Sequence, residues 1–516
     1  MNEAIYQTNF SAVDWVIVAA YLSGSVIVGI IANRYIGNLS DFIVAGRGLK
    51  IFLAIATMTG TEIGLVTVMY NAQEGFERGF SAYVIGVCWF IGFIIVGLTG
   101  FIIYRLRGTN VMTIPEFYQQ RYSKHARVLG GGILAFSGIL NMGLFLQVGS
   151  HFVTGVTGLP AEGVSLKVVM TLMLALVLLY TVLGGMVSVV VTDLIQFFFV
   201  GLGMVLATIM SVRFVGWDGM VSAVSVHRGA GGLNPFDAPG GGYGWVYVLW
   251  MIYMGVAAGT LWQTATLRAL SAKSPAVAKK LYGWSAITFL SRVVLPATWG
   301  VAALAFVSSV PELKHAFLDA PEKERLSSQL AMPVMFGHVF PPVLLGLLSA
   351  GMMAAFMSTH DSYLLAWSAV ITQDVVAPLQ NKPMTERQRI LLTRILIVAI
   401  GIFLLVWGLW FEAPATVWTY MAVTGTIYLS GAFVCVAFGL YWRRASNVGA
   451  ILALVMGLVA VTAVGQEDVV KATIISAVTI VACVAAMVVG SLLFPDKRPP
   501  ADVKLFERNA EGGNAQ

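Results

Sequence analysis

The sequence predicts an all-α integral membrane protein with about 13 transmembrane helices. Composition is the first reason, because 58% of the residues are hydrophobic, 11% are charged and the mean hydropathy is +0.83. Soluble domains carry about 25% charged residues, so a large globular core does not explain these values. The second reason is that apolar runs long enough to cross a bilayer recur from Val13 to Leu493. A membrane β-barrel would show short alternating strands instead.

The apolar runs follow one another along the chain. The predicted spans are residues 12–33, 51–72, 79–104, 128–156, 165–184, 188–212, 243–266, 279–307, 333–372, 390–411, 415–441, 447–465 and 471–493. The ninth is long for a single crossing, and Pro341-Pro342 is predicted to split it into a short helix and a span that begins near Val343. The first nine residues lack the basic region of a cleaved signal peptide, so we expect the first span to remain as a helix.

Lysine and arginine indicate the orientation. They collect in the connections after spans 1, 3, 7, 9 and 11 and in the C-terminal tail, and the connection after span 7 begins with Arg268 and Lys273. Cytoplasmic connections carry such an excess, so we expect a plasma-membrane protein with its N-terminus outside and its C-terminus in the cytoplasm. Topology also explains the net charge of +6, and no basic motif with interleaved aromatic residues predicts nucleic acid as a partner.

A polar stretch, Thr57-Met-Thr-Gly-Thr-Glu-Ile-Gly64, interrupts the second span. Gly60 and Gly64 allow an unwound turn, and the threonines can satisfy the backbone groups that this turn frees. Exposed carbonyl oxygens would suit an alkali cation. The alternative is a glycine-kinked helix packed closely on a neighbour. Glu62 can be a proton site, a substrate contact or the partner of a buried base.

A second polar cluster lies in the ninth span. Helical spacing places Ala355, Ser358, Thr359 and Ser362 near one another on one face. Uncharged hydroxyl and carbonyl oxygens would bind Na⁺ weakly and reversibly, as a transporter requires, and Asp361 adds a carboxylate. The alternative is that the hydroxyls hydrogen-bond to their own helix.

Asp193 and Arg292 are charged groups in or beside apolar runs. Asp193 can cap the sixth span or bind an ion. Arg292 lies about a dozen residues beyond Lys280, roughly 18 Å along a helix and near mid-membrane. A buried arginine requires an anion. The candidates are Glu62, Asp361 or a substrate carboxylate, onto which arginine can fork.

The seventh span contains Gly259-Thr260, which is predicted to break this helix, followed by Trp262 and Gln263. Both side chains can line a ligand pocket or serve in packing. The sequence contains no zinc spacing, phosphate loop or nucleophile elbow, so an enzyme is not predicted. A sensor would normally carry a soluble output domain, and the short tail argues against one.

These clusters, with further motifs, resemble the sodium:solute symporter family, the group of the sodium/glucose and sodium/proline cotransporters. The most specific motif is Tyr180-Thr-Val-Leu-Gly-Gly-Met-Val-Ser188 leading into Thr192-Asp193-Leu-Ile-Gln196, which is similar to the family's Gly-Gly signature and the helix after it. Supporting motifs are Asp41–Arg47, Arg268–Ser274, Ser358-Thr359 with Gln373-Asp374, and Gly439–Arg444. The resemblance extends over residues 10–495.

The resemblance implies the LeuT-type fold, with spans 2–6 and 7–11 as inverted repeats and with helices 2 and 7 broken at the midplane. The implied domains are an external N-terminus with the first helix (1–33), a transporter core (34–442), two peripheral helices (443–494) and a cytoplasmic tail (495–516) that we expect to be disordered. The implied partners are Na⁺, a small solute and the lipid bilayer, and we expect a monomer.

The family's ion sites map onto this sequence by position. The main Na⁺ site would use Gly60, Ile63, Ala355, Ser358 and Thr359. A second cation in some members would involve the positions of Asp193, Ser358, Asp361 and Ser362. Asp361 stands where those members have a hydroxyl, and this departure can strengthen Na⁺ binding, admit a proton or abolish the second site.

The positions implied for substrate binding diverge more from the family. Glu62 falls where relatives have Asn, Asp or Ser, and Thr67 matches a substrate-side position. Trp262 and Gln263 match an Asn-Gln pair under a gapped alignment, while Arg292 has no family counterpart. The prediction is therefore Na⁺-coupled uptake of a small organic anion, such as a monocarboxylate, by alternating access. The alternatives are a neutral amino acid or sugar as solute, H⁺ as coupling ion, or a transporter-like sensor.

Overall fold

A computed structural model describes most of the chain. The described residues are 6–32, 39–160, 163–237, 241–321, 323–410, 417–464 and 469–496. They are helical and contain no strand, apart from an isolated bridge between Leu49 and Ala272. The tail predicted to be disordered lies outside the described residues beyond Asp496.

The helices, in chain order, begin and end as follows. The first half contains α1 (Ala12–Ala32), α2 (Leu39–Val44), α3 (Ile51–Glu62), α4 (Leu65–Arg78), α5 (Tyr83–Thr99), α6 (Ile103–Gly108), α7 (Ile114–Arg121), α8 (Lys124–Met142), α9 (Phe145–Thr157), α10 (Gly163–Val215) and α11 (Trp217–Arg228). The second half contains α12 (Trp245–Leu261), α13 (Gln263–Leu270), α14 (Pro275–Ser309), α15 (Pro311–Lys314), α16 (Ala331–Val339), α17 (Leu344–Val370), α18 (Ala377–Leu379), α19 (Glu386–Trp410), α20 (Val417–Tyr441), α21 (Asn447–Gly457) and α22 (Val469–Leu493).

The described helices confirm a membrane protein built from helices. Seven helical stretches in this part of the chain are long and apolar enough to cross a bilayer, and the bent pair α12 and α13 makes an eighth. The predicted fifth and sixth spans both lie in α10, a continuous helix of 53 residues. A straight helix of that length would measure about 80 Å, whereas the hydrocarbon core is about 30 Å thick. The part Val189–Val215 is one of the seven membrane-length stretches, and Gly163–Leu179 is a shorter apolar stretch. The separation of the fifth span from the sixth, and the total of about 13 spans, stay predictions.

Three predicted interruptions can be compared with the backbone. The second span is broken at Ile63 and Gly64, where α3 gives way to α4. The seventh is broken at Trp262 with a bend of 51°. The prediction of a break at Gly259-Thr260 was wrong, because the Trp262 amide still donates to the Ala258 carbonyl and keeps α12 helical as far as Leu261. The proline pair separates α16 from α17 as predicted.

Close helix contacts bring α14 against the break in the second span. A Cβ atom on Gly300 of α14 would lie 1.8 Å from the carbonyl oxygen of Ala72 in α4, and one on Gly75 would lie 2.1 Å from the carbonyl oxygen of Ala297. Only residues without side chains allow two backbones to approach this closely. Since α14 lies directly on α4, Arg292 at the midpoint of α14 faces the α3–α4 break.

Candidate functional site

A buried cavity lies between the two broken helices. Its volume is ≈ 90 Å³. Residues of α3, α4, α5, α8, α9, α12, α13, α14, α17 and α20 line it. One water molecule needs about 10–15 Å³, so the cavity is several times larger than one water requires and has room for a small solute. Most of the lining is apolar and includes Trp89, Phe145, Met251, Met254, Phe289 and Trp418. We call this space the central cavity.

Glu62 and Arg292 form an ion pair in the wall of the central cavity. Arg292 Nη1 donates to Glu62 Oε2 at 2.9 Å and to the Glu62 carbonyl oxygen at 3.1 Å. The other carboxylate oxygen, Oε1, accepts from Thr264 Oγ1 at 3.1 Å. Of the partners that the sequence left open for Arg292, the structure therefore places Glu62 beside it. The carbonyl that Arg292 uses belongs to the last residue of α3, whose helical partner is removed by the break.

The remaining edge of Arg292 has no protein partner. Its Nε is buried without a hydrogen bond, and no hydrogen bond is formed by Nη2 within the described residues. The guanidinium lies over two aromatic rings, 4.7 Å from the centre of Trp89 and 4.0 Å from that of Phe289. These rings hold the guanidinium plane in place. Nε and Nη2 together form the planar pair of donors that binds a carboxylate with two hydrogen bonds.

The other predicted substrate residues divide into two groups. Thr67 and Trp262 line the central cavity, and Trp262 Nε1 donates to Tyr363 Oη at 2.9 Å. The expectation that Gln263 lines it was wrong. Gln263 Oε1 accepts from the backbone amide of Ile114 at 3.4 Å, and the residue is fully buried outside the cavity. Trp262 is the non-helical residue between α12 and α13, so the side chain that follows it points elsewhere.

A second polar group, the Asp193–Arg268 cluster, joins α3, α10, α13 and α17. Arg268 Nη2 donates to Asp193 Oδ2 at 3.3 Å, to Ser362 Oγ at 2.6 Å and to Thr61 Oγ1. Asp193 also accepts hydrogen bonds from Thr57 Oγ1 and Ser358 Oγ. Asp361 Oδ1 accepts from Ser362 Oγ at 3.1 Å. The four residues predicted for a second cation are therefore close together, with a guanidinium among them.

Sequence reasoning missed Arg268 and misjudged one alternative for Asp193. Arg268 was assigned to a basic connection, but it lies in α13 and is completely buried. The available signal was its position on the continuation of a broken span, four residues after Thr264 and hence on the same side of the helix. In the structure, Arg268 Nη1 donates to the Thr264 carbonyl oxygen. The helix-cap alternative for Asp193 is wrong, because the residue lies inside α10 and its carboxylate bonds to side chains of other helices.

The α3–α4 break contacts α17 directly. Thr359 Oγ1 donates to the Thr61 carbonyl oxygen at 3.2 Å and to the Ala355 carbonyl oxygen at 3.0 Å. A Cβ atom on Gly64 would lie 2.1 Å from Thr359 Oγ1. Within the described residues, no backbone amide donates to the carbonyl oxygens of Gly60 or Ile63. Oxygen atoms without helical partners thus lie at the break, which packs on the hydroxyl-bearing face of α17.

Residues 42–457 match the model of the sodium:solute symporter family. The chain belongs to this family. Its membership makes the protein a Na⁺-coupled solute symporter of the plasma membrane rather than an enzyme, with several membrane crossings and with Na⁺ as the coupling ion.

Individual symporters are similar over most of their length. The sodium/proline symporter of Staphylococcus aureus is 23% identical over 462 residues, which cover 87% of this chain and 84% of the relative. A Na⁺-coupled sialic acid symporter solved in a substrate-bound outward-open state shares the fold, with a TM-score of 0.79 and 17% identity. That alignment covers 95% of this chain and all of the other. A nucleobase–cation–symport-1 family transporter aligns less closely, with a TM-score of 0.53 at 12% identity over 91% of this chain and 98% of that one. The fold is therefore that of the LeuT-type symporters.

Proposed function

We propose that this symporter carries a small monocarboxylate, whose carboxylate binds to the free Nε–Nη2 edge of Arg292. The single observation that carries this proposal is that edge, whose Nε is buried, whose two nitrogens lack a protein partner among the described residues, and which belongs to a residue that lines the central cavity. Leaving a buried charged donor unpaired is unfavourable by several kcal/mol relative to pairing it. A substrate carboxylate would form two charge-assisted hydrogen bonds there.

The proposed Na⁺ site lies between the α3–α4 break and α17. Its ligands would be the carbonyl oxygens of Gly60, Ile63 and Ala355 together with the hydroxyls of Ser358 and Thr359. The hydroxyl protons are already donated, from Ser358 to Asp193 and from Thr359 to carbonyl oxygens, which leaves oxygen lone pairs for a cation. Hard cations prefer such oxygen ligands.

We further propose that Arg268 takes the place of a second cation, so that one Na⁺ accompanies each solute. The guanidinium donates to Asp193 and to Ser362, two of the residues that would form a second site. A cation bound there would meet a fixed positive charge, and repulsion in a buried environment is strong. Asp361, which stands where some family members have a hydroxyl, could strengthen Na⁺ binding, admit a proton or abolish the second cation site. The position of Arg268 favours loss of that site.

Binding of Na⁺ and binding of the solute would be coupled, because both proposed sites are formed at the α3–α4 break. Na⁺ would hold α3 and α4 against α17, and the same break places Glu62 and Arg292 in the wall of the central cavity. Each ligand would therefore favour the conformation that binds the other, which is positive coupling between the two sites. Rocking of the two inverted repeats would then open the opposite side of the membrane.

The finer topology is part of the proposal. Thirteen spans, two inverted repeats and an external N-terminus agree with one broken helix early in each repeat, at Ile63 and at Trp262. The central cavity and the proposed Na⁺ ligands lie within one chain, so a monomer would suffice.

A neutral amino acid is the second candidate solute. Glu62 neutralises Arg292, so the cavity wall carries one charge of each sign, as a zwitterion would require. The similarity to a sodium/proline symporter agrees with this candidate.

Uptake into proteoliposomes tests the function. We would measure labelled monocarboxylates, amino acids and sugars under an imposed Na⁺ or H⁺ gradient. A carboxylate should accumulate only with inward Na⁺. Electroneutral uptake would indicate a monoanion with one Na⁺, and inward current would indicate a zwitterion with one Na⁺. Accumulation of a sugar alone would contradict the carboxylate proposal, and H⁺-driven uptake would contradict the coupling ion.

The variant Arg292→Gln tests the anchor. We expect about 100-fold or greater loss of uptake efficiency, because a charge-assisted pair of hydrogen bonds contributes about 3 kcal/mol or more. The double variant Glu62→Gln/Arg292→Gln removes the unpaired buried carboxylate and should remain equally defective. Arg387→Gln, which changes an exposed arginine at the start of α19, is the matched control. Normal carboxylate transport by both Arg292 variants would overturn the anchor.

A further inference from the structure

Asn141 lines the central cavity and carries a second polar atom that has no partner among the described residues. It lies near the end of α8, is 3% exposed and lines the cavity that Arg292 also lines. Its Nδ2 donates to the Met421 carbonyl oxygen at 2.9 Å and to Thr424 Oγ1 at 2.8 Å, both in α20. Both amide protons therefore point towards α20.

The orientation of the Asn141 amide follows from its neighbours. Thr424 Oγ1 donates its own proton to the Tyr420 carbonyl oxygen at 2.7 Å, so it can only accept from Asn141. The Met421 carbonyl oxygen is also an acceptor. Rotating the amide by 180° would place its oxygen against two acceptors. The oxygen Oδ1 must therefore point away from them.

Asn141 Oδ1 is buried and has no hydrogen-bond partner among the described residues. Buried acceptors in folded proteins are nearly always paired, because an unpaired one has lost the hydrogen bond that it makes to water when exposed. Anchoring α8 to α20 does not require this oxygen, since the two Nδ2 bonds already do so. Ser137, one turn earlier on α8, makes the same kind of anchor through its hydroxyl, which donates to the Thr424 carbonyl oxygen at 2.6 Å.

We propose that Asn141 Oδ1 accepts a hydrogen bond from the substrate, and that the substrate is therefore a small monocarboxylate with a hydroxyl or ammonium group, a 2-hydroxy or 2-amino acid. The inference rests on the proposed function, in which Arg292 binds the carboxylate. Two polar contacts, a donor edge at Arg292 and an acceptor at Asn141, then select the two polar groups of such an acid. The apolar walls formed by Met251, Met254 and Trp418 suit a short hydrocarbon body.

The substrate itself provides a test that needs no variant. Wild-type protein in proteoliposomes would be given matched three-carbon and four-carbon acids with a 2-hydroxyl group, with a 2-amino group or with neither. We expect the preferred substituted acid to be taken up about 10- to 100-fold more efficiently than the unsubstituted acid, because the latter leaves the buried acceptor unpaired. Measurements of transport current distinguish a hydroxyl donor from an ammonium donor. A 2-amino acid zwitterion carried with one Na⁺ moves one charge, whereas a 2-hydroxy acid anion carried with one Na⁺ moves none.

The variant Asn141→Leu tests the residue. It should remove most of this discrimination while Na⁺-dependent uptake of the unsubstituted acid persists. Ser137→Ala, at the same interface between α8 and α20 but outside the cavity lining, should keep the discrimination and so controls for weaker helix packing. Thermal stability in Na⁺ would establish that both variants are folded, and the wild-type comparison remains decisive if they are not.

The outcomes separate this inference from the proposed function. Equal uptake of substituted and unsubstituted acids, or full discrimination in folded Asn141→Leu, would overturn the role of Asn141 while the carboxylate proposal stands. Absence of Na⁺-driven uptake for every acid would overturn the proposed function and this inference with it.

Discussion

Gly64→Ala would disturb the contact between the broken second span and α17. A Cβ atom there would lie 2.1 Å from Thr359 Oγ1, 3.0 Å from Thr359 Cβ and 3.2 Å from Thr359 Cγ2. Non-bonded carbon atoms prefer about 3.5–4.0 Å. Rotating Thr359 can move its hydroxyl away but leaves Thr359 Cβ at 3.0 Å, so the two segments must separate by about 0.5 Å or more. The backbone of Gly64, with φ −81° and ψ 159°, is open to alanine, so the effect comes from this contact.

The separation should weaken the proposed Na⁺ site. Overpacking of this kind costs about 1–3 kcal/mol, and the state in which the break closes on α17 would bear that cost. We therefore expect the Na⁺ concentration for half-maximal uptake to rise about 10- to 100-fold. The assay is the Na⁺ dependence of solute uptake in proteoliposomes, supported by Na⁺-dependent thermal stabilisation of the purified protein.

Gly132→Ala is the matched control for this prediction. A Cβ atom on Gly132, in α8, meets no atom within 4 Å. This variant should keep the wild-type Na⁺ dependence. If Gly64→Ala required no more Na⁺ than Gly132→Ala, the break and α17 would not form the Na⁺ site together.

The remaining predictions concern stoichiometry and helix packing. The wild-type protein should move one Na⁺ per solute. Arg268→Gln should raise the Hill coefficient for the Na⁺ dependence of uptake above one or abolish transport. A wild-type ratio of two Na⁺ per solute would show that Arg268 does not replace a cation. Gly300→Ala should lower the free energy of unfolding by about 3 kcal/mol or more. Its Cβ atom would lie 1.8 Å from the carbonyl oxygen of Ala72, and a backbone oxygen cannot rotate away as a side chain can. Gly201→Ala, with nothing within 4 Å, should melt like wild type, and equal melting of the two variants would contradict the close contact of α4 and α14.

Composition and local pattern predicted the class of protein and several local features. The low charged fraction and the long apolar runs indicate helices in a bilayer, because unpaired backbone groups are not tolerated in hydrocarbon. Proline at Pro341-Pro342 predicts the division of α16 from α17, since proline lacks the amide proton that a continuing helix needs. The glycines near Glu62 predicted the break in the second span, and the structure places it at Ile63 and Gly64.

Pairings between distant helices could not be read from the sequence. Arg268 and Asp193 are 75 positions apart, and Asn141 and Met421 are 280 apart. Which side of each helix faces which neighbour depends on the packing of all helices together, and an error of one residue rotates a side chain by about 100°. For that reason Trp262 and Gln263 were both named as residues that could line the cavity, and only Trp262 does so.

The sequence by itself therefore determined the membrane class, the broken second span and the set of oxygen-bearing residues from which a Na⁺ site can be built. These features depend on hydropathy and local backbone chemistry, which short stretches carry. Only the tertiary structure decided that Glu62 pairs with Arg292, that a guanidinium lies among the second-cation residues, and that Asn141 and Arg292 share one cavity. Each of these depends on the relative rotation of helices far apart in the chain, because a buried charge or amide is satisfied only by a partner within about 3 Å.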